Sequence, residues 1–455
     1  MTYSQLKKNA VDIVRRLQKA GFEAYIVGGA VRDMVLECKP KDYDIATNAS
    51  PPDIKRLFRK VYPVGAQFGV SMVVKGSHAY EVAQFRVEGV YEDGRRPLHV
   101  QPAQAIEDVL RRDFTMNALL YDPIHDTIID HVHGVDDIHA RIIRTVGDPH
   151  IRFMEDHLRM LRAVRFSARF NCTIEQHTFE AIRSYAQKIT LISAERIGDE
   201  FSKMFTGPFP AKALTLLDKT GFLEILLPEV SAMKGVEQPE EYHPEGDVFD
   251  HTLRMLELSN SDSLTLSLGI LFHDIGKPVT RTITDRVRFN RHDEVGADIA
   301  VNILRRFRFS NDIITRVHTL VRNHMRFIHV KEMRRSTLRR FMAMDGFDEM
   351  LELFRLDVLA SHGSLELYEF IKQEYNEEHI EGKGPTLPKP LITGHDLIAL
   401  GFTQGPIFST ILKRVQDAQL ENEVTTYHDA IAYVLKLFNP GEPQQIQKRK
   451  NNPQD

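Results

Sequence analysis

Apolar side chains recur along this chain in two rhythms. Up to about residue 147, short runs rich in β-branched and aromatic residues alternate with helical stretches. Ala24 to Val27, Tyr43 to Ile45, Val70 to Val74, Ala79 to Phe85 and Thr127 to Asp130 read as strands. From about 148 onward the spacing is almost everywhere the 3.6-residue period of an amphipathic helix, as in HLRMLRAVRFSARF (157–170) and PAKALTLLDKTGFLEIL (210–226). Breaks fall at TGPFP (206–210), EQPEEYHPEGD (237–247) and EGKGPTLPKP (381–390), the last a Gly- and Pro-rich linker. The pattern predicts an α+β chain. It has a head over 1–147, all-α segments at 148–242, 243–380 and 388–440, and a polar, disordered tail at 441–455.

Composition narrows the class. The 455 residues leave room for about three domains. Hydrophobic and charged contents of 42% and 27% are those of an ordinary globular protein. No apolar run approaches the ~20 residues of a membrane span, and the polar opening MTYSQLKKNAVDIVRRLQ lacks the apolar core of a secretory signal. Cys38 and Cys172 are the only cysteines, so no disulfide framework is expected and a cytoplasmic location fits. The net charge of −4 does not advertise nucleic-acid binding, but arginines cluster at 95–96, 111–112, 159/162/165, 305–308 and 334–340.

The main chemical signal is YIVGGAVRDMVLECKPKDYDIAT (25–47). A strand ending in Gly28-Gly29 and opening a helix near Ala30 offers backbone N–H groups to a phosphate chain, and Arg32 lies one turn in. Asp42 and Asp44 follow, two apart in a β-favouring context, so both carboxylates are expected on one face. Side by side they repel unless cations sit between them, which points to a Mg²⁺ pair. One ion would activate a hydroxyl and the other would hold a triphosphate and its leaving pyrophosphate. Glu81 is a third acidic candidate, or simply a strand residue.

The combination resembles the nucleotidyltransferase superfamily that contains DNA polymerase beta. GGAVRD followed by KDYDIAT looks like its tRNA nucleotidyltransferase branch, the bacterial class II CCA-adding type, which implies a head with a mixed β-sheet. Further motifs appear in that family's order. EVAQFRVEGVYEDGRRP (81–97) resembles its strand and flexible loop. LRRDFTMNAL (110–119) implies that Arg112 contacts the nucleotide while Asp113 and Asn117 brace the site. Asp130 to Gly134 with Asp137 resembles its hinge. Glu155-Asp156-His157-Leu158-Arg159 matches E-D-x-x-R, with His157 where the family commonly has Pro. On a helix, Asp156 and Arg159 would share a face. A carboxylate accepts from the exocyclic amine of C or A while a guanidinium donates to the ring acceptors; U and G present a carbonyl where the amine should be. Arg162 and Arg165 continue that face toward phosphates or bases, although a salt-bridged amphipathic helix has the same spacing. ISAERIGDEF (192–201) resembles the following neck motif and reads as structural.

Behind this lies a second order, HPEGDVFDHTL (243–253), LFHDIGKP (271–278) and FRLDVLASH (354–362), which resembles the HD phosphohydrolases. The resemblance implies His251, His273, Asp274 and Asp357 as ligands of a divalent transition metal or Mg²⁺, with His292 and His324 as further candidates. The implied reaction is transfer of CMP and AMP from CTP and ATP to the tRNA 3′ end, with no membrane involved. Addition of A alone or CC alone uses the same motifs. Rivals are a poly(A) polymerase, against which Val64-Gly-Ala-Gln-Phe-Gly69 argues, a phosphohydrolase with a silent head, and an RNA-binding scaffold. Oligomeric state stays open.

Overall fold

The structure, a computed structural model, describes residues 3–63, 69–89, 100–238, 246–361, 363–377 and 387–440. Val64 to Phe68, Val90 to Pro97 of the 81–97 segment, His243 to Glu245, His362, much of the 381–390 linker and the 441–455 tail, all singled out above, lie outside these residues.

The head is built on a seven-stranded sheet of β1 (Ala24–Val27), β2 (Asp44–Thr47), β3 (Val61–Pro63), β4 (Val70–Lys75), β5 (His78–Gln84), β6 (Leu120–Asp122) and β7 (Thr127–Ile129). Its order is β3-β4-β5-β2-β1-β6-β7. Within this sheet, among the described residues, only β2 and β5 pair in parallel, with Ile45 opposite Val82; β1 pairs antiparallel with β2, Val27 opposite Asp44. The amphipathic helix α1 (Tyr3–Lys19) seals one face by burying Ala10, Ile13, Val14 and Leu17 completely. A further core forms around Val27, Ala46, Phe85, Val109, Ala118, Leu120 and Val146. The register sets the chemistry: the β1 turn at Gly28 and the start of β2 at Asp44 emerge at the same end of adjacent strands.

Helix α2 (Gly29–Val35) starts at the glycine turn, one residue before the expected Ala30. The stretch that follows is mostly helical and holds α3 (Leu158–Phe170), α4 (Ala194–Phe205), α5 (Val248–Leu258), α6 (Leu264–Phe272) and α7 (His292–Arg306), but it is not all-α as the periodicity predicts: Thr173–Ile174 pairs with Ile142–Ile143, and Arg281–Ile283 forms a short hairpin with Val287–Phe289. The chain separates into two compact units, Met1–Arg322 and Asn323–Asp455. The division falls inside the segment read from sequence as 243–380. In the second unit, Phe327 stacks on Phe354, with centroids 4.7 Å apart, and tilts against Phe341, while a small core of Leu397, Ile411, Val415, Ala430 and Val434 joins its last helices. Among the described residues, no helix is long and apolar enough to cross a membrane.

Candidate active site

Asp42, Asp44 and Glu81 line one cavity of about 220 Å³ in the head, with Tyr43, Tyr80, His78 and Met72 around them. Asp42 precedes the strand and Asp44 is its first residue, so the two carboxylates meet at the strand's entry rather than along its length. The parallel register, Ile45 opposite Val82, brings Glu81 beside Asp44. Burial, Glu81 and Asp42 together push the Asp44 carboxyl up to about 6, against a weaker opposing pull from Arg112. Three carboxylates crowded enough to lift one of them above the usual carboxylate range make an arrangement that a divalent cation relieves.

Gly28 turns with φ 68°, and a Cβ there would lie 3.1 Å from an Arg112 nitrogen. Only glycine suits both constraints. Arg112 donates to the Asn117 carbonyl at 3.2 Å and to Asp108 at 3.1 Å, and Asp108 also binds Arg111 at 2.6 Å. Arg32 is 4% exposed. Its Nε and one Nη donate to Asp33 at 2.9 and 2.6 Å, and the other Nη donates to Asn117 Oδ1 at 2.6 Å. Asn117 in turn donates to Asp113, whose other oxygen accepts from Arg162 at 2.9 and 2.5 Å. Burial alone would raise the Asp113 carboxyl, but Arg162, the Asn117 amide and Arg159 overcome it and hold it at about 2.

The Glu155 to Arg159 segment departs from the single helix its spacing suggests. One helix, Pro149–Glu155, stops; Asp156 is extended; α3 begins at Leu158 after His157. The cause is local: Asp156 Oδ1 accepts the Leu158 backbone N–H at 3.0 Å, giving the chain a non-helical partner. His157 is buried at φ −60°, a value proline also adopts, and donates from Nδ1 to the Phe153 carbonyl at 2.7 Å. Arg159 is held by Glu155 and by the carbonyls of Arg152 and Arg111, at 3.2 and 3.3 Å. Arg196 donates to Asp156 Oδ2 at 2.8 Å. Read from sequence as packing only, Arg196 thus grips the Asp156 carboxylate from 40 residues away. The Glu155–Arg159 and Asp108–Arg112 pairs, by contrast, show in sequence as i,i+4 spacing. Arg165 is buried against Glu200 at 2.5 Å, joining α3 to α4.

In the HD-type segment, α5 and the end of α6 bring the His251 and His273 rings to 5.4 Å between centroids. His273 Nε2 and His292 Nε2 lie 3.1 and 3.3 Å from the Asp274 carboxylate, and Lys277 donates to it at 2.6 Å. Each of the two imidazoles donates from Nδ1 to a backbone carbonyl, Ile270 for His273 and Phe289 for His292, which turns Nε2 toward Asp274. Although burial opposes it, contact with His273 and Lys277 keeps the Asp274 carboxyl well below the usual range. Asp357 and His324 belong to the second unit, on the helix Phe347–Ala360 and at the start of a 3₁₀ segment, His324–Glu332.

Three family models match: the Poly A polymerase head domain over residues 24–144, the probable RNA and SrmB-binding site of polymerase A over 171–234, and the HD domain over 248–350. The CCA-adding enzyme of Lactobacillus gasseri is 32% identical over 436 residues, covering 94% of this chain and 97% of the relative. That of Lactobacillus helveticus is 44% identical over 216 residues, 47% of this chain and 54% of its own length, so here the chain matches only about half of the relative. Among solved structures, the Bacillus stearothermophilus CCA-adding enzyme in complex with CTP superposes with a TM-score of 0.72 at 27% identity, over 94% of this chain and 96% of that one.

Proposed function

The chain belongs to the CCA-adding enzymes, and on that footing we propose that it adds C, C and A to the 3′ end of tRNA from CTP and ATP, releasing pyrophosphate. The observation that carries the reading is the Asp42, Asp44 and Glu81 cluster at the mouth of β2, beside the glycine turn. Asp42 and Asp44 are read as the Mg²⁺ ligands. When bound, the cations supply charge stabilisation at the transferring phosphoryl group and lower the pKa of the attacking 3′-hydroxyl. Gly28 and Gly29 leave room for the triphosphate, and the Arg112 guanidinium beside them supplies positive charge. Asp156 and Arg159 select the base, the first accepting from an amine and the second donating to ring acceptors. Catalysis is then mainly positioning and electrostatics.

The poly(A) alternative is not favoured, because the relative matching nearly end to end is a CCA-adding enzyme. The His251, His273 and Asp274 cluster supports a second divalent-metal centre with phosphohydrolase chemistry. Two free thiols, Cys38 and Cys172, support a reducing, cytoplasmic setting.

Asp44→Ala tests the reading. On tRNA transcripts ending before CCA and after CC, this variant should lose C addition and A addition together, with its fold retained. Loss of only one would place the two additions in different centres.

A further inference from the structure

One carboxylate gathers three parts of the head. Asp108 lies on the helix Ala105–Leu110 and is 1% exposed. Its Oδ1 accepts from Arg111 Nε and Nη2 at 3.0 and 2.6 Å, and from the backbone N–H of Arg86 at 3.4 Å. Its Oδ2 accepts from Arg112 Nη2 at 3.1 Å. Arg86 opens the short strand Arg86–Glu88, which pairs with Val100–Pro102. Although burial opposes it, Arg111 and Arg112 keep the Asp108 carboxyl below the usual carboxylate range, so it holds them as an anion.

Arg112 is the partner beside the metal-binding cluster. Its Nη1 donates to the Asn117 carbonyl at 3.2 Å and stands 3.1 Å from where a Cβ on Gly28 would be. Its charge also pulls down on the Asp44 carboxyl. Asp108 and Asn117 use two of the five N–H donors of the guanidinium, so three remain among the described residues. One of these, the Nε–H, is buried and has no acceptor among the described residues. A buried donor without an acceptor is costly, and native proteins keep few of them. A guanidinium pinned at both Nη atoms, with a buried donor still open beside Gly28, suits the oxygens of a phosphate.

We infer that Asp108 is a positioning residue for nucleotide addition: it fixes the Arg112 guanidinium so that the open donors meet the triphosphate of the incoming CTP or ATP, and it ties that arginine to the strand at Arg86. The inference rests on the reading of the head cluster as the nucleotide site, with Arg112 as a triphosphate contact. A loose arginine side chain samples many rotamers, and ordering it would fall on the binding step. Asp108 orders it when the chain folds, because a buried carboxylate cannot release its arginines without being left unpaired. Asp108 itself touches no substrate and acts through Arg112.

The test uses the full chain carrying Asp108→Asn, Arg112→Gln or both, with thermal melting confirming that each is folded. Equilibrium CTP binding is measured, and so is inhibition of C addition by inorganic tripolyphosphate, which offers the phosphates without a base. Asp108→Asn should weaken CTP and tripolyphosphate by a like factor of about 10, the size of a lost hydrogen bond to a charged group. The preference for CTP over UTP, which the base sets, should stay as it was. The double variant should bind CTP no more weakly than Arg112→Gln alone, because Asp108 acts through that side chain. Should Asp108→Asn fail to fold, Asp108→Glu, which keeps the charge but moves it by one methylene, carries the same test and should show the same paired loss. Three results overturn the inference: folded Asp108 variants that bind CTP and tripolyphosphate as the parent does; losses that multiply in the double variant; or weakened CTP with tripolyphosphate unaffected. Unchanged CTP affinity in Arg112→Gln overturns the underlying reading of Arg112, and the role of Asp108 falls with it. A loss there with none in Asp108→Asn overturns the role of Asp108 alone.

Discussion

At the scale of the residue, Asp44 is the group whose state reports on the head. Its carboxyl, raised to about 6, holds a proton more tightly in the folded chain than in the unfolded one. Between about pH 4 and pH 6 the native state therefore carries the extra proton, and this group's contribution to stability falls as pH rises through that window. A cation in the cluster reverses the penalty. Mg²⁺ is accordingly expected to raise the melting temperature clearly at pH 7.5 and much less at pH 5, with the difference reduced in Asp44→Asn. Equal stabilisation at both pH values would show that the ion binds elsewhere. The second residue-scale prediction concerns Arg159, whose guanidinium is anchored by Glu155 and two carbonyls. A bidentate contact to a base is worth ~1–3 kcal/mol of discrimination. Arg159→Ala should therefore lower the preference for CTP over UTP by roughly tenfold or more while tRNA binding changes little. An unaltered CTP/UTP ratio would remove Arg159 from base selection.

Elements are where sequence and structure part company, and the reasons are physical. The β1 turn, the Asp42-x-Asp44 pair and α3 are legible because each is written in neighbouring residues: a glycine pair, alternation, a 3.6-residue period. The break at Asp156 is not, since periodicity runs through it and only the side-chain cap onto Leu158 ends the preceding helix. Arg196 escapes for another reason: its partner is remote in sequence, and nothing in ERIGDE distinguishes a packing arginine from one that grips Asp156. Arg32 shows the same limit. Its place one turn into α2 is legible, but its partners Asn117 and Phe170 are remote in sequence and are not. Gly134 opens the helix Gly134–His139 so close to the Thr115–Asn117 turn that a Cβ would stand 2.2 Å from the Thr115 carbonyl oxygen. Backbone, unlike a side-chain tip, cannot step aside. Gly134→Ala is expected to cost about 2–3 kcal/mol, seen as a melting temperature lower by roughly 5 °C. A shift below a degree would mean that the two turns part freely.

For the whole molecule, a net charge of −4 conceals the clustering of arginine around the head motifs, so bulk composition understated the case for an RNA substrate. Order along the chain carried the assignment instead, and the relative that matches over 94% of the chain agrees with it. The HD signature was legible as His251 and His273-Asp274 because a contiguous His-Asp pair is written in sequence; its support from Lys277 and the Phe289 carbonyl was not. The division of the chain at Arg322 and Asn323 leaves no mark in composition either, since helical periodicity continues across it. One measurement tests the central claim most directly. A tRNA transcript lacking all three terminal nucleotides is given to the full chain with Mg²⁺, CTP and ATP, and the products are sequenced over time. A single polypeptide whose one head cluster serves both nucleotides should yield C, then CC, then CCA, and stop there. Addition of A only, restricted to transcripts already ending in CC, or A tracts of indefinite length on any RNA, would contradict it.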